Sequence, residues 1–447
     1  MQGQQSSNSS TQLKSSTPFY DSVTPDHHPP SSTTSQFTST AVTSEHDIPI
    51  TTELQKQQQH QRRKQRYLYI LKHYLLGLAI RFGTVIVVIA ILIAIGLGLR
   101  YTDHMPPSQD FSHLQFNWRI DPRSYLTPFN TSFGSYNVLL DGHSHSTKSD
   151  GKMNVRQLLD WHIANGYNAV IVTDHNTLKG GLEAEKLALQ DEYYKDNIVV
   201  IPGIEYTCCR IHMNLININE SIPIGPPNPT DEQLQQVIQR VHELGGLVIV
   251  NHIPWSNTTE SHYQDARLPN HPSVESLIEW GVDGFEVVHE STFDYATYVV
   301  SAQHNLIQMV GTDVHNPSVA ANTWLTVQAD TFSRQGIMDA IRARRTSFLM
   351  DPAGTRPREY ADTMPAQYQT LLPLSALGTY FGMFYTEYKG MYSFQGTFCH
   401  PQRMDVHNSV IGWFIFWILI FMLVYELVRG AAILATGQIK KRVLHLS

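Results

Sequence analysis

The chain has 447 residues, 42% of them hydrophobic and 16% charged, with a formal net charge of -7, 22 His and 3 Cys. So few cysteines exclude a disulfide-rich scaffold and a four-cysteine zinc finger, and the acidic balance argues against a protein that coats nucleic acid. The length allows up to three domains. Histidine, a common metal ligand and an acid/base near neutral pH, is the residue type to follow.

Residues 1–66 are rich in Gln, Ser and Thr and show little apolar periodicity. Such a composition does not offset chain entropy, and a disordered tail is expected. Arg62, Arg63, Lys64, Arg66, Lys72 and Arg81 then form a basic cluster ahead of Phe82–Leu99, 18 residues without charge. As a helix that run rises about 27 Å, close to the roughly 30 Å hydrocarbon core. A cleaved signal sequence would sit at the extreme N-terminus, so residues 80–100 are predicted to form a retained membrane helix. A second run, Val410–Val424, is rich in Trp, Phe and Ile and continues to Val428, with Arg429, Lys440, Lys441 and Arg442 beyond it. Four aromatics within Trp413–Trp417 suit lipid better than a soluble core, and a second span is predicted over 409–428.

Both basic clusters lie outside the two runs. The positive-inside rule therefore puts the tail 1–66 and the tail 429–447 in the cytosol, and the intervening domain in a lumen or outside the cell. Residues 1–81 carry +3, residues 426–447 carry +3, and the stretch between them carries -13. Three Asn sequons, at Asn130, Asn219 and Asn257, fall in that stretch and fit glycosylation there.

From about 130 to 350, short apolar runs alternate with amphipathic segments. Strands are predicted at Asn137–Leu140, Ala169–Thr173, Ile198–Ile201, Met213–Ile218, Leu247–Val250, Phe285–Val288 and Ile307–Val310. Helices are predicted at Asn154–Asn165, Leu182–Leu189, from Thr230 to Gly245, and at Ser333–Arg342, the third opened by a Thr230/Gln233 capping box. Strand–helix alternation implies parallel βα units, and seven or more in this length suggest a barrel. His143 and His145 follow the first strand, Asp174 and His175 the second, Glu205 the third, His252 the Val250 strand, and Asp313 and His315 the Val310 strand. C-terminal strand ends form the active face of α/β barrels. Imidazole with carboxylate is a ligand set for Zn, Mn or Fe(II), and residues two apart in a strand share a face, as in His143-x-His145. No phosphate-binding glycine loop and no Gly-x-Ser-x-Gly elbow occurs. Cys208 and Cys209 are expected to pack or to oxidise; whether they or Cys399 are oxidised stays open.

The motifs Asp141-Gly142-His143-Ser144-His145, Ser149-Asp150-Gly151, Thr173-Asp174-His175-Asn176, Gly203-Ile204-Glu205, His212, Asn251-His252 and Gly311-Thr312-Asp313-Val314-His315 resemble, in order, those of the PHP (polymerase and histidinol phosphatase) domain of metal-dependent phosphoesterases. The resemblance spans residues 134–350. It implies a distorted (β/α)7 barrel over 130–350, flanked here by two transmembrane helices, and two or three divalent ions, whether Mn, Zn or Fe. One ion would be held by His143, His145, Glu205 and Asp313, a second by Glu205, His212 and His252, and a third by Asp150, His175 and His315. A hydroxide held between ions would attack phosphorus. The similar stand-alone members act on nucleoside 3',5'-bisphosphates and RNA 5' ends as phosphatases or 5'-3' exonucleases. The spacing from Glu205 to His212, which contains Cys208-Cys209-Arg210, and the position between two spans are departures from that pattern.

His289, at another strand end, is a candidate acid or substrate contact, and Arg210 and Lys179 are candidate phosphate binders. His162, His242, His262, His271 and His304 read as surface residues. Residues 351–408 read as a membrane-proximal segment. The expected function is hydrolysis of a small or terminal phosphate ester beside the bilayer. The alternatives are a lipid-headgroup phosphoesterase, an amidohydrolase-type enzyme, or a non-catalytic receptor. With 20 basic against 33 acidic residues between the spans, long nucleic acid is not an expected partner. The sequence leaves metal identity, natural substrate and oligomeric state open.

Overall fold

The computed structural model describes residues 50–102, 106–260, 263–355 and 364–444. The expected tail over residues 1–49 lies outside them, as does His262. The chain divides into two compact units, Met1–Ala79 and Ile80–Ser447. Helix α1 runs Ile50–Arg100, so residues 50–66, expected to be disordered, are helical. Gln, Lys and Arg dominate that stretch and are good helix formers.

In the second unit β1 (Val138–Asp141) is followed by α2 (Val155–Ala164), β2 (Ala169–Val172), α3 (Lys179–Gln190), α4 (Glu192–Asn197), β3 (Val199–Thr207) and β4 (His212–Ile216). Next come α5 (Asp231–Glu243), β5 (Leu247–Val250), α6 (Ile253–Ser256), α7 (Val274–Glu279), β6 (Gly284–His289), β7 (Thr292–Phe293), α8 (Tyr295–Gln303) and β8 (Ile307–Gly311). β9 (Thr323–Val327), α9 (Arg334–Arg342) and β10 (Thr346–Met350) close the domain. Capping boxes start α2 at Asn154/Gln157 and α5 at Thr230/Gln233, the latter as the sequence predicts. β1, β2 and β5 are buried throughout, because helices and core side chains cover both faces of the sheet.

The strands form one ten-stranded mixed sheet that curls into a half-barrel, in the order β10-β9-β1-β2-β3-β4-β5-β6-β7, with β8 paired to β6. Past the strand ends the sheet bends back on itself. The Gly142 N–H donates to Val310 O at 3.0 Å, Asp313 N–H to His143 O at 2.9 Å and His145 N–H to Val314 O at 3.2 Å. Parallel pairing, as expected, joins β1–β2–β3 and β5–β6–β8. β4 runs antiparallel between β3 and β5. β9 and β10, absent from the sequence reading, add antiparallel to the outer side of β1. Only four residues separate β3 from β4, from Cys208 to Ile211, too few for a parallel crossover.

Beyond the domain lie α10 (Ala366–Phe381), a hairpin of β11 (Tyr385–Tyr388) and β12 (Arg403–Val406), and α11 (Asn408–Leu444). Two helical stretches, Glu53–Arg100 and Asn408–Gly437, are long and apolar enough to cross a membrane, and little of either apolar window is buried. Arg81 of α1 pairs with Glu426 of α11, which also accepts from Arg429. Gly96 and Gly378 let α1 and α10 touch backbone to backbone: a Cβ on Gly378 would stand 2.3 Å from the Gly96 carbonyl oxygen. Tyr101, at the end of α1, donates to Glu387 of β11 at 2.7 Å.

A disulfide joins Cys209, just after β3, to Cys399 in the β11–β12 connection, 190 residues away, and Cys208 is a buried free thiol. Peptide mapping without reductant is expected to recover Cys209 linked to Cys399. Cys399→Ser is expected to lower the thermal midpoint of the solubilised chain, in line with a loss of about 2–5 kcal/mol. Recovery of a Cys208-linked peptide would contradict this pairing.

Candidate metal centre

Every polar side chain singled out at a strand end faces one rim of the curled sheet. β1 delivers His143 and His145, and β8 delivers Asp313 and His315. β3 runs two residues past Glu205 and β4 starts at His212, so the antiparallel turn returns an imidazole to the rim where β3 ends. His175 and Glu205 lie beside each other through an isolated parallel bridge. His252 and Asp313 sit at left-handed backbone angles, φ 28° and 50°, which few non-glycine residues adopt. Such strain persists only where the surroundings over-determine it.

Glu205 is the centre of the arrangement. Its Oε2 lies 3.4 Å from both His143 Nε2 and His145 Nε2 and 2.8 Å from His175 Nδ1. Its Oε1 lies 3.0 Å from His212 Nδ1 and 3.2 Å from His252 Nε2. Asp313 Oδ1 approaches the same pair of imidazoles, at 3.2 Å from His143 Nε2 and 2.9 Å from His145 Nε2. Asp150 Oδ1 stands 3.1 Å from His315 Nε2 and 3.7 Å from His175 Nε2. Four groups result, each with donor atoms within 4.8 Å of one another: His143–His145–Glu205–Asp313, Glu205–His212–His252, His145–Asp150–His175–His315, and His252–His289–Asp313. Each could hold a metal ion. The fit is tested by satisfaction: His143 Nε2, His145 Nε2, His212 Nε2 and Asp313 Oδ1 are buried without a well-directed hydrogen bond, even where Asp313 Oδ1 and His145 Nε2 stand 2.9 Å apart. Orphaned buried atoms are costly, and a cation at their convergence would satisfy them.

The charges agree. Burial alone would protonate Glu205, but His175, His143 and His212 outweigh it and hold the carboxyl well below its usual range. Asp313 is likewise held down, against burial, by His143 and His145. Burial and the neighbouring His175 push His145 down to about 3, leaving a neutral imidazole with a free lone pair. Burial also brings His212 down to about 4. Burial opposes a charge on His315, yet Asp150 and Asp313 hold it up at about 9.

A shell of groups orients these donors; Asp141 and Asp174 stand in the sequence motifs without an assigned role, and Glu286 was missed. Glu286, buried in β6, contacts His143 Nδ1 at 3.1 Å and accepts the His252 N–H at 3.0 Å. Asp141 accepts the N–H groups of His143 at 3.2 Å and Thr312 at 2.9 Å, and so ties the ends of β1 and β8. His162, expected at the surface, is fully buried with Nε2 2.9 Å from Asp141 Oδ2. Asp174 accepts from Ser146 N–H at 2.8 Å and Ser149 Oγ at 2.9 Å, fixing the loop that carries Asp150. A carboxylate inside an apolar strand, as at Glu286, was the signal in the sequence. Gly311 permits the packing: a Cβ there would stand 2.4 Å from His143 Cβ.

The candidate phosphate binders are placed elsewhere. The Arg210 guanidinium is spent on Asn270 O and Pro229 O, both at 2.9 Å, and on Asp231 at 2.7 Å. Lys179 is exposed in the first turn of α3, outside the cavity lining. His289 does line the cavity, with Nε2 3.1 Å from Asp313 Oδ2. The cavity, about 390 Å³, has the donor groups for its floor and Trp255, Met391, Tyr392 and Phe394 for its remaining wall, together with Glu290.

No family model matches the chain. An uncharacterised protein of Methanocaldococcus jannaschii is 34% identical over 91 residues, which is 20% of this chain and 46% of that protein. The chain thus covers about half the length of that relative. Among solved structures, a two-domain protein of Bacteroides vulgatus with a predicted PHP-like metal-dependent phosphoesterase is 20% identical at a TM-score of 0.40, covering 61% of this chain and 76% of that one. An amidohydrolase of Chromobacterium violaceum is 16% identical at a TM-score of 0.32, covering 48% and 98%.

Two outcomes follow from the geometry. Glu286→Gln is expected to weaken metal binding by about 10–100-fold with the fold retained, measured by calorimetry and circular dichroism. Because His315 must shed its proton to ligate, metal binding at its group should release a proton below pH about 9. Affinity should therefore rise with pH between about 6 and 8, and the binding heat should depend on the ionisation enthalpy of the buffer. Affinity falling over that range would contradict the assignment.

Proposed function

We propose that the chain is a membrane-anchored, metal-dependent phosphoesterase that hydrolyses a phosphate ester of a small or terminal substrate. The observation that carries this reading is the shared Glu205 carboxylate, flanked by two donor groups in which His143, His145 and His212 each leave one buried nitrogen without a hydrogen bond. Three ions would be held by His143, His145, Glu205 and Asp313; by Glu205, His212 and His252; and by Asp150, His175 and His315. Divalent cations bound there would acidify water and draw charge from phosphoryl oxygens.

The protein's own residues do the rest. Glu205 and Asp313 fix the spacing of the donor groups, and Glu286 orients His143. Hydrolysis joins a water oxygen to phosphorus, breaks the bond to the leaving oxygen, and returns one proton to that oxygen. His289, on the cavity wall and hydrogen-bonded to Asp313, is placed to move that proton. A cavity of about 390 Å³ lies within the usual small-molecule range of roughly 300–1,000 Å³. Nucleoside bisphosphates and RNA 5' ends, implied by the resemblance, fall in this class. A lipid headgroup is a second candidate, because the cavity wall is built by a hairpin that continues directly into α11.

The domain is proposed to face a lumen or the exterior, with both tails cytosolic. The Cys209–Cys399 disulfide suits an oxidising compartment. Arg81 and Glu426, on the tail-proximal sides of the two apolar runs, meet each other, as they would if both tails leave on one side. Asn130, Asn219 and Asn257 are exposed, so glycosidase treatment is expected to reduce the mass of wild type and to leave an Asn→Gln triple variant unchanged.

The solubilised chain, stripped and reloaded with Mn, Zn or Fe, is expected to hydrolyse members of a panel of phosphomonoesters and phosphatidic acid, with activity lost to chelator. His143→Ala should reduce turnover on the order of 100-fold or more. Turnover of amides without esters would reassign the enzyme, and a wild type that binds no metal would end the reading.

A further inference from the structure

Among the described residues lining the metal cavity there is no Lys and no Arg. Arg267 comes nearest in kind, but it sits over Trp255, with Cζ 5.0 Å from the ring centroid, and is not part of the lining. The charge of one phosphoryl group can be met at the donor groups on the floor. A second phosphate on the wall would face the Glu290 carboxylate, His289, whose Nε2 is already engaged by Asp313, or an uncharged surface, where an unpaired anion is costly.

That uncharged wall is aromatic, and most of it comes from outside the barrel. Met391, Tyr392 and Phe394 belong to the β11–β12 connection. The Phe394 ring stacks on His175 with centroids 3.8 Å apart and planes 22° apart. Phe394 holds a left-handed φ of 56°, a conformation that needs external support. The support is present. The Cys209–Cys399 disulfide ties the connection to the end of β3. Tyr263 Oη donates to Tyr388 O at 2.7 Å, His400 Nε2 meets Arg267 O at 3.0 Å, and Tyr392 bridges Phe398. The wall is therefore pre-built, and pre-organised aromatic surface recognises flat rings at low entropic cost.

We propose that the tip of this hairpin is the specificity element of the site: Tyr392 and Phe394, with Trp255, select monophosphate esters whose leaving group is flat, aromatic and uncharged, and disfavour bisphosphates. The proposal rests on the phosphoesterase reading and narrows its substrate class.

The test uses the full-length, metal-loaded chain in nanodiscs and two inert probes, phenylphosphonate and methylphosphonate, with binding measured by calorimetry. Wild type is expected to bind the phenyl probe about three- to tenfold more tightly, the range for one or two aromatic contacts. Phe394→Ala and Tyr392→Ala should each erase most of that preference through the phenyl probe alone, with metal content and the disulfide unchanged. In turnover, kcat/KM should favour adenosine 5'-monophosphate over adenosine 3',5'-bisphosphate, and Phe394→Ala should raise KM for phenyl phosphate by a larger factor than KM for glycerol phosphate. Equal binding of the two probes by wild type, a preference untouched by both substitutions, or a preference for the bisphosphate would each overturn the proposal. A wild type that prefers the phenyl probe yet hydrolyses no ester would support the aromatic wall and overturn the catalytic reading, so the two failures are distinct.

Discussion

The structure depends on one buried anion. Glu205 is 1% exposed, in the middle of a sheet whose other residues are largely apolar. An isolated carboxylate in that position would be driven to its neutral form at a cost of several kcal/mol. Five imidazoles lie within 3.4 Å of it, and of these His175, His143 and His212 keep it ionised against burial. The five come from four different strand ends, so the charge can be balanced only when β1, β2, β4 and β5 are all in register with β3. The polar cluster thus specifies the topology it sits in, because a slip of one residue would turn these side chains to the opposite face.

Imidazoles alone leave the balance incomplete. His145 and His212 are held neutral, while His143 is drawn toward its protonated form by Asp313, Glu205 and Glu286, which together outweigh burial. A proton on His143 offsets part of the negative charge but does nothing for the unsatisfied nitrogens of His145 and His212. A divalent cation answers both demands at once, since it supplies charge and accepts lone pairs from several directions. That double requirement separates a metal-shaped cluster from an ordinary buried ion-pair network, where each nitrogen would have found its own hydrogen bond.

Much of this was legible in the sequence, for a physical reason. Donor residues that must reach a common rim sit just past short apolar runs, and both signals are local. The helix starts at Asn154 and Thr230 are local too. What stayed hidden was relational. β4 reads as another apolar run, and only the short Cys208–Ile211 connection betrays that it turns back. β9 and β10 carry none of the motif residues at their ends to draw attention. Glu286 and His162 act through partners 143 and 21 residues away in the chain, His143 and Asp141, and their polarity looked incidental without those partners. Arg210 and Lys179 stood near the motifs in sequence, but their side chains leave the rim. The Cys209–Cys399 pairing spans 190 residues and could not be read from spacing.

That long-range link changes what counts as the site. The donor groups belong to the half-barrel, which ends at β10, whereas three of the four apolar lining residues arrive from the β11–β12 hairpin. The same hairpin bonds to the end of α1 through Tyr101 and runs into α11, and α10 is packed against Gly96. A barrel cut at Met350 would keep every metal donor and its orienting shell, yet would lose Phe394 from the face of His175 and leave Cys209 unpaired. Metal binding and substrate selection are therefore assigned to different parts of the chain, and the apolar helices are joined to the second through a few named contacts: Tyr101 to Glu387, Gly96 to Gly378, and Phe414 against Phe381 and Phe384 at 6.2 and 5.0 Å. In this arrangement the β11–β12 hairpin is a structural component of the cavity, and the composition of its tip, aromatic and free of cations, sets what can stand beside the metal donors.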